Sequence, residues 1–269
     1  MGYLCIDFGG TKTLVCILDG AGKIQSQVRF ETPDHYPDFL DKLCAEITAN
    51  DESFTTGVMS VPGLIDQSTG TVIALGNRPW TNFGLQADVL AKTGVALTLL
   101  NDARLAGLAE GRRIMDQYPR SVYITVSTGI GGALVVDGQL VQALDDTEFG
   151  KMPLFYDGKL RPWEEFASGR AIVNKYNMRA SDIQDEAIWR DIAHNIVLGL
   201  GPVCAAFQPD AVVFGGGVGQ QSDKFSGYIT EELAGLLHPV IRQPRALLQS
   251  FYLDESVIYG CYALARDME

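Results

Sequence analysis

The sequence predicts an α/β fold built from two similar halves, and three observations lead to that prediction. An apolar hairpin broken by two glycines, "YLCIDFGGTKTLVCIL", stands near the start of the chain. A hairpin of the same design, "SVYITVSTGIGGALVV", begins at Ser121. After each hairpin come short apolar runs typical of buried parallel strands, alternating with helical patterns. One order of elements used twice indicates an internal duplication.

The elements of the first half follow from their local patterns. Strands are predicted over 3–7 and 13–18, joined by the glycine turn, and the alternating stretch "KIQSQVRFE" extends the hairpin. Apolar residues at helical spacing predict a helix over 36–49. The runs "GVMSVPG" and "VALTLLND" are predicted as buried strands, and residues 103–112 as a helix that leaves the second of them.

The second half repeats this plan. Strands are predicted over 121–127 and 132–136, followed by a helical region over 163–207. The apolar run "DAVVFGGGVG" predicts a strand that turns into another helix, and "ALLQSFYL" predicts one more strand. A final helix is predicted over 256–267.

These elements suggest two domains. We expect the first domain to cover residues 1–112, completed by the C-terminal helix at 256–269, and the second to cover 113–255. In doubly wound folds, functional groups gather at the carboxyl ends of the strands. The functional site is therefore expected in a cleft between the two domains.

Composition excludes several classes of function. The chain has 269 residues and a net charge of −12, which argues against nucleic acids and anionic membranes as partners. It shows neither a signal peptide nor an apolar run long enough to span a membrane, so we expect a soluble cytoplasmic protein. The cysteines, at positions 5, 16, 44, 204 and 261, lack metal-binding spacing and are expected to be buried free thiols.

The two glycine loops are candidates for phosphate binding. Paired glycines let the backbone approach a ligand closely, and flanking side chains add donors suited to phosphate oxygens: Thr11, Lys12, Thr13, Ser127 and Thr128. Either loop alone fits an ordinary hairpin turn equally well. Their matching places in the two halves favour a pair of loops that clamp a polyphosphate. GxGxxG and P-loop motifs are absent from the strand ends.

Two aspartates stand where strands end. Asp102 follows a buried strand and begins a helix, so it suits either a catalytic carboxylate that takes a proton from an acceptor hydroxyl or, with Asn101, a helix N-cap. Asp7 ends the first strand beside the glycine loop. It suits either a Mg²⁺ ion, directly or through water, or a turn.

Eight blocks, in order along the chain, resemble the ROK family of sugar kinases in the actin-like ATPase superfamily. They are "IDFGGTK", "SVPGLID", "GNRPW", "LLNDARLAGLAEG", "ITVSTGIGGALVVDG", "EFGKM", "WEEFASGRAI" and "PDAVVFGGGV". The resemblance implies two similar actin-like (ribonuclease H-like) domains with an interdomain cleft. It also implies ATP- and Mg²⁺-dependent phosphorylation of a hexose, glucose-like or N-acylated, at its 6-hydroxyl, and a homodimer.

The resemblance also implies roles for particular residues. Asp102 matches the catalytic base, and Asp7 is expected to hold Mg²⁺. The sugar-side positions are Gly63, Asn77, Asn101, Asp102, Glu148, Lys151 and Glu164. The positions facing the phosphates are Gly9, Gly10, Thr11, Lys12, Ser127, Thr128, Gly129 and Gly131, and an adenosine-side loop follows at Gly215, Gly216 and Gly217.

The chain departs from the family pattern after Glu148. Most members have a histidine where this chain has Lys151, followed by a cysteine-rich zinc segment, and no cysteine occurs here between Cys44 and Cys204. We therefore expect no zinc site. The short segment before Glu164 is expected to be held by packing of Phe155, Tyr156 and Trp163. Lys151 has three open roles: donor to a sugar hydroxyl, partner of Glu148, or a solvated side chain.

Three alternatives accompany the ATP-dependent kinase. Short zinc-free members include polyphosphate-dependent glucokinases, and Arg112, Arg113 and Arg120 are candidates for a basic patch in this acidic chain. A sugar-sensing regulator would carry a DNA-binding segment ahead of the first strand, for which we expect no room, and acidity also argues against DNA. A binding module without turnover is disfavoured because Asp7, Asp102 and both glycine loops are intact.

Overall fold

The computed structural model describes residues 2–50, 54, 56–76 and 78–269. They form two compact units. The first unit joins Met1–Ala109 to Glu255–Glu269, and the second is Glu110–Asp254. Each unit has its own buried apolar cluster around a five-stranded sheet.

The helices and strands follow one another along the chain from the first unit into the second. The elements up to the end of the third helix are β1 (Tyr3–Phe8), β2 (Lys12–Leu18), β3 (Ile24–Glu31), α1 (Tyr36–Thr48), β4 (Thr56–Val61), β5 (Gly63–Asp66), β6 (Thr71–Leu75), β7 (Thr81–Phe83), α2 (Leu85–Thr93), β8 (Ala96–Asn101) and α3 (Asp102–Ile114). The remaining elements are β9 (Arg120–Val126), β10 (Ile130–Val136), β11 (Gln139–Leu140), β12 (Pro153–Tyr156), β13 (Lys159–Pro162), α4 (Glu164–Ala167), α5 (Gly169–Tyr176), α6 (Glu186–Phe207), β14 (Ala211–Gly215), α7 (Gly216–Gly219), α8 (Ser222–Leu236), β15 (Ala246–Gln249) and α9 (Ser256–Asp267). Helix α9 belongs to the first unit.

The main sheet of the first unit has the strand order β3-β2-β1-β4-β8. The hairpin strands β1, β2 and β3 pair antiparallel, whereas β4 lies parallel to both β1 and β8. Strands β1 and β2 are almost wholly buried, and the polar strand β3 covers the edge with mostly exposed side chains. The parallel strands β1, β4 and β8 end at one edge of the sheet.

The sheet of the second unit repeats this plan, with the order β11-β10-β9-β14-β15. Here β10 pairs antiparallel with β9 and with β11, and β14 lies parallel to β9 and to β15. Both glycine-broken hairpins thus occupy the same place in their sheets. The predicted duplication and the α/β class are confirmed.

The sequence patterns miss a small sheet in the first unit. Strands β5, β6 and β7 pair antiparallel and are followed by α2. These strands are short and carry exposed apolar side chains such as Leu64 and Ile73, so they show no clean alternation of buried and exposed positions. Trp80, before β7, is buried and stacks on Phe8.

The helical region predicted over 163–207 consists of three helices with breaks between them. Ser168 has an extended backbone between α4 and α5, where its side chain caps α5. Asn177, in the left-handed conformation, ends α5. Asp185 then caps α6 by accepting the N–H of Ala187. Local capping groups therefore break the region into three helices.

The segment between Glu148 and Glu164 contains the hairpin β12–β13. As expected, Trp163 is fully buried, and the ring of Tyr156 stacks on Phe166 at a centroid distance of 4.2 Å. Phe155, in contrast, is 71% exposed, so the prediction that it packs in this segment is wrong.

The structure shows where the cysteines lie and whether possible metal ligands cluster in the described residues. All five cysteines are free and buried, as predicted, and burial raises the pKa of the Cys204 thiol to about 12. Within the described ranges, no cluster of three or more His, Cys, Asp or Glu side chains is placed to hold a metal ion. In the same part of the chain, no helix is long and apolar enough to cross a membrane.

Candidate functional site

The carboxylate of Asp7 is held at the end of β1 by the neighbouring strand β4. Its Oδ1 accepts a hydrogen bond from the Ser60 hydroxyl at 2.8 Å. The Ser60 oxygen in turn accepts the N–H of Phe8 at 2.9 Å. Because that N–H occupies an acceptor position of the hydroxyl, the hydroxyl proton is left for the carboxylate. Asp7 is thereby fixed beside the first glycine loop.

The environment of Asp7 suits a hydrated cation. Burial raises the pKa of Asp7, whereas the hydrogen bond from Ser60 and the charge of Arg29 act in the opposite direction. Among the described residues, Oδ2 of Asp7 makes no hydrogen bond. A carboxylate with one uncommitted oxygen fits a magnesium ion that keeps most of its water ligands.

The first glycine loop, Gly9–Thr11, joins β1 to β2. The N–H of Gly9 donates to the Lys12 carbonyl at 3.0 Å, and a Cβ at Gly9 would lie 2.6 Å from that oxygen, so glycine is needed there. The side chains of Thr11 and Lys12 are exposed. Thr13 is buried and its hydroxyl lies 2.9 Å from the Thr32 hydroxyl, so the prediction that Thr13 faces a phosphate is wrong.

Asn101 and Asp102 lie where β8 meets α3, and their side chains have different environments there. Oδ1 of Asn101 accepts the N–H groups of Ala103 at 3.0 Å and Arg104 at 3.4 Å, which is the work of an N-cap. Asp102 is half-buried in the first turn, where its Oδ1 lies 2.8 Å from the Ala103 nitrogen. The positive end of the helix favours an ionised carboxylate at this position.

Gly63 and Asn77 were also predicted on the sugar side. Gly63 begins β5, where a Cβ would lie 2.1 Å from the Ala74 carbonyl oxygen. Glycine at this position is thus required by the close pairing of β5 and β6. Asn77 lies outside the described residues.

The second glycine loop, Ser127–Gly129, joins β9 to β10 and exposes the side chains of Ser127 and Thr128. A Cβ at Gly129 would lie 2.7 Å from Oε2 of Glu164. The same carboxylate oxygen accepts the N–H of Ile130 at 3.3 Å. Glu164 therefore lies directly against this loop. Gly131 follows within β10, paired with Thr125.

Lys151 forms an ion pair with Glu164 and not with Glu148. Its ammonium group contacts Oε1 of Glu164, and the lysine side chain is 62% exposed whereas that of Glu164 is 24% exposed. Glu148 stands immediately before the 3₁₀ turn that carries Lys151. Burial raises the pKa of Glu148, the charge of Lys151 lowers it, and the charge of Glu164 raises it. The three side chains form one electrostatic cluster.

The glycines after β14 differ in their surroundings. Gly216 has a φ of +74°, and a Cβ there would lie 2.6 Å from the Val126 carbonyl oxygen, beside the second glycine loop. Gly215 lies against the Tyr123 ring, whose hydroxyl would be 2.0 Å from its Cβ. A Cβ at Gly217 would meet no atom within 4 Å. Gly217 therefore leaves open space that a ligand can occupy.

Within each unit, the structure brings most of the predicted residues together. In the first unit, Asp7, the first glycine loop and the Asn101–Asp102 pair share one sheet edge. In the second unit, the Ser127–Gly129 loop contacts Glu164, and Gly216 approaches the end of β9. The arginines predicted as a basic patch are each engaged elsewhere: Arg112 with Gly138, Arg113 with the Phe251 ring and Arg120 with Phe207.

Three residues at the first glycine loop escape the sequence analysis: Ser60, Thr32 and Arg78. Ser60 donates to Asp7, Thr32 to Gly9, and Arg78 to Gly10. A polar residue within an apolar strand was the available signal for Ser60 in "GVMSVPG". The hydrogen-bond partners of Arg78 are 44 to 68 residues away in the chain, so no local pattern indicates its role.

Comparison with known proteins gives matches along the whole chain. The model of the ROK family matches residues 3–268. N-acetyl-D-glucosamine kinase of Salmonella paratyphi B is 27% identical over 282 residues, covering 90% of this chain and 92% of that protein. A ROK family glucokinase from Streptomyces griseus, solved in complex with glucose and AMPPNP, is 22% identical with a TM-score of 0.82, covering 99% of this chain and 100% of that one.

A further solved structure is an inorganic polyphosphate/ATP-glucomannokinase from Arthrobacter. It is 25% identical with a TM-score of 0.75 and covers 100% of this chain and 99% of that one. These matches confirm the predicted actin-like fold and the prediction of a ROK-type sugar kinase. The chain belongs to the ROK family.

Proposed function

We propose that the chain transfers the γ-phosphate of ATP to the 6-hydroxyl of a hexose, with Asp102 as the general base. The observation that carries this proposal is the junction at Asn101 and Asp102. Asn101 takes the capping role, and Asp102 stands half-buried at the helix start, on the same sheet edge as Asp7. A carboxylate so placed can orient an acceptor hydroxyl and take its proton as the phosphoryl group arrives.

Each of the two glycine loops carries donors suited to the phosphates of the nucleotide. The backbone N–H groups of Gly10, Thr11, Thr128 and Gly129, the exposed hydroxyls of Thr11, Ser127 and Thr128, and the Lys12 ammonium supply donors for phosphate oxygens. Asp7 would hold the magnesium ion that accompanies the nucleotide and spreads its negative charge. The open space at Gly217 supports an adenosine side for the loop Gly215–Gly217.

The acceptor side combines carboxylate and amide groups. Carboxylates of Glu148 and Glu164 accept from sugar hydroxyls, and the amide of Asn101 supplies a donor. Lys151 orients Glu164 through their ion pair. Gly63 and Asn77 complete the proposed set. The name of the Salmonella relatives, N-acetyl-D-glucosamine kinase, supports a glucose-like or N-acylated hexose as acceptor.

A coupled assay of ADP release across a panel of hexoses tests this proposal. Glucose, mannose, N-acetylglucosamine and N-acetylmannosamine should be compared with their 6-deoxy analogues, which lack the acceptor hydroxyl. We expect turnover with one or more of the hexoses and none with its 6-deoxy analogue. Binding of a hexose without phosphate transfer to any of them would favour a non-catalytic sugar-sensing protein.

Polyphosphate is the second candidate donor, because the Arthrobacter structure is that of an inorganic polyphosphate/ATP-glucomannokinase. Running the same hexose panel with polyphosphate in place of ATP separates the two donors. ATP remains our first choice, since a chain with a net charge of −12 attracts a long polyanion poorly.

We also propose the wider organisation of the enzyme. The two compact units, with the C-terminal helix in the first, support two actin-like domains near 1–112 plus 256–269 and 113–255. We further propose a homodimer that acts in the cytoplasm without zinc.

A further inference from the structure

Arg78 is a nearly buried cation attached to the first glycine loop. Its side chain is 11% exposed, and its Nε donates to the Gly10 carbonyl at 2.8 Å. Its Nη1 donates to the Pro33 carbonyl at 2.6 Å, and its Nη2 to the Thr32 carbonyl at 2.7 Å. One guanidinium group therefore ties the glycine loop to the connection between β3 and α1.

Thr32 holds the same loop through two further hydrogen bonds. Its hydroxyl donates to the Gly9 carbonyl at 2.9 Å, and its N–H donates to the Thr11 carbonyl at 2.9 Å. The Lys12 carbonyl accepts the N–H of Gly9. Every carbonyl oxygen from Gly9 to Lys12 is thus engaged by this chain.

Fixing these carbonyls also fixes the N–H groups of the loop. In a planar trans peptide, the C=O of one residue and the N–H of the next point in opposite directions. Arg78, by holding the Gly10 carbonyl, sets the direction of the Thr11 N–H, and Thr32 does the same for the Gly10 N–H. Neither N–H donates to any atom of the described residues.

The charge of Arg78 is available to an anion. The neighbouring carboxylate of Asp34 lies 3.3 Å from Nη1, but its side chain is 94% exposed, so water screens this pair. The other partners of the guanidinium are neutral: the carbonyls of Gly10, Thr32 and Pro33, and the Trp80 ring, whose centroid lies 5.2 Å from Cζ. A positive charge thus remains close to the Gly10 and Thr11 N–H groups, which find no acceptor among the described residues.

We propose that Arg78 and Thr32 are positioning residues for the phosphate donor: they pre-orient the Gly10 and Thr11 N–H groups toward its phosphate oxygens. The inference rests on the proposed function, since it assigns the phosphate tail of the donor as the ligand of this loop. Pre-oriented donors bind an anion without the cost of ordering the backbone at the moment of binding.

Replacement of Arg78 tests the proposal because it should weaken binding of the phosphate donor and not binding of the sugar. Arg78→Met keeps the aliphatic stem and removes all the guanidinium bonds. We expect about tenfold weaker MgATP binding in calorimetry and a similar rise in the KM for the donor, the scale of one lost charge-assisted hydrogen bond. The KM for the hexose should stay within about twofold of the wild-type value, because the guanidinium makes no hydrogen bond with any described residue of the proposed sugar side.

Arg245→Met is the matched control. Arg245 also donates to a carbonyl, that of Gln117 at 2.7 Å, pairs with Asp210 at 3.5 Å and stacks on Tyr118, all within the second unit. Its side chain is 57% exposed, so its replacement should cost less stability than that of Arg78 and should leave donor affinity unchanged. Equal effects of both replacements on MgATP binding would mean that the effect of Arg78→Met is only structural, and would overturn the proposal.

Two further experiments test the proposal if the Arg78→Met protein does not fold. Thr32→Val removes only the hydroxyl and should weaken donor binding, and Thr32→Ser should retain more of that binding. Millimolar guanidinium added to Arg78→Ala should restore donor binding, whereas equal sodium chloride should not. Full donor affinity in Thr32→Val, together with no rescue by guanidinium, would refute the positioning role.

Failure of the proposed function is distinguishable from failure of this inference. A wild-type chain that binds MgATP but phosphorylates no hexose contradicts the proposed function, while the Arg78 and Thr32 variants still decide the inference through binding. A wild-type chain that binds neither MgATP nor polyphosphate overturns both.

Discussion

The Ser60 hydroxyl and the Asp7 carboxylate lie 2.8 Å apart, although 53 residues separate them in the chain. Ser60 is fully buried, and its oxygen also accepts the N–H of Phe8. One hydroxyl therefore joins two parallel strands of the sheet and orients the carboxylate that we assign to magnesium.

Ser60→Ala should move the acid limb of the kcat/KM profile to higher pH. The hydrogen bond from Ser60 lowers the pKa of Asp7, so its removal raises that pKa and protonates the carboxylate at a higher pH. The free energy of unfolding should also fall by about 1–3 kcal/mol, because the buried Phe8 N–H loses its acceptor. An acid limb that stays in place would contradict the role of Ser60.

Asp7→Asn should stabilise the ligand-free protein at neutral pH while it abolishes turnover. Because the folded-state pKa of Asp7 is raised, its contribution to stability is highest below the unfolded-state pKa and falls as pH rises toward the folded value. Asparagine has no charge to desolvate, so Tm should rise by about 2–4 °C for each kcal/mol gained. Thermal unfolding checks this, with a gain at pH 7 that shrinks toward pH 4; a lower Tm at pH 7 would refute it.

Asp102→Asn should lower kcat by about a hundredfold or more, because the amide cannot take the proton of the acceptor hydroxyl. The cap of α3 should survive, since Asn101 supplies it. MgATP and sugar binding, measured by calorimetry, should remain near the wild-type values. Full residual turnover would rule out Asp102 as the base.

Lys151→Met should weaken sugar binding and leave the donor KM unchanged. The charge of Lys151 lowers the pKa of Glu148. Loss of that charge should therefore shift the acid limb of the pH profile of kcat/KM for the sugar to higher pH. Glu164 also loses its ion-pair partner. We expect the sugar KM to rise about tenfold. Lys159→Met, on the exposed hairpin β12–β13, is the control and should change neither parameter.

Gly216→Ala and Gly217→Ala should separate a structural glycine from a binding glycine. The first substitution forces an alanine into φ +74° against the Val126 carbonyl, so the unfolding free energy should fall by about 2 kcal/mol or more. The second meets open space and should leave stability unchanged while it weakens nucleotide binding. Equal Tm losses in the two variants would contradict this distinction.

The sequence predicted the parts of the fold that depend on local periodicity. The local spacing of apolar residues predicts the strands of both hairpins, the polar edge strand "KIQSQVRFE" and the helix at 36–49. The small sheet of β5, β6 and β7 was missed because its short strands are stabilised by pairing with one another. The breaks at Ser168 and Asn177 depend on single capping groups within apolar surroundings.

The residues of the candidate site also fall into those that local sequence patterns predict and those that they miss. Asp7, Asp102 and both glycine loops stand at strand ends, which the sequence marks by a change from apolar to polar residues. Arg78 and Ser60 act through partners more than 40 residues away, and Lys151 selects Glu164 over the nearer Glu148. The partners of these side chains are determined by the tertiary fold, so local sequence patterns do not predict them. The residue assignments themselves stay predictions until the variants are measured.

The enclosure of all five thiols has a practical consequence for spectroscopy. Burial raises the pKa of Cys16 and Cys204 to about 12, and the thiols of Cys5, Cys44 and Cys261 are shifted in the same direction. Almost no thiolate exists at neutral pH, so maleimide reagents should leave the native cysteines untouched. One cysteine introduced at the exposed position of Phe155 would then carry the only attached dye, and sugar or nucleotide binding could be followed in an otherwise native protein.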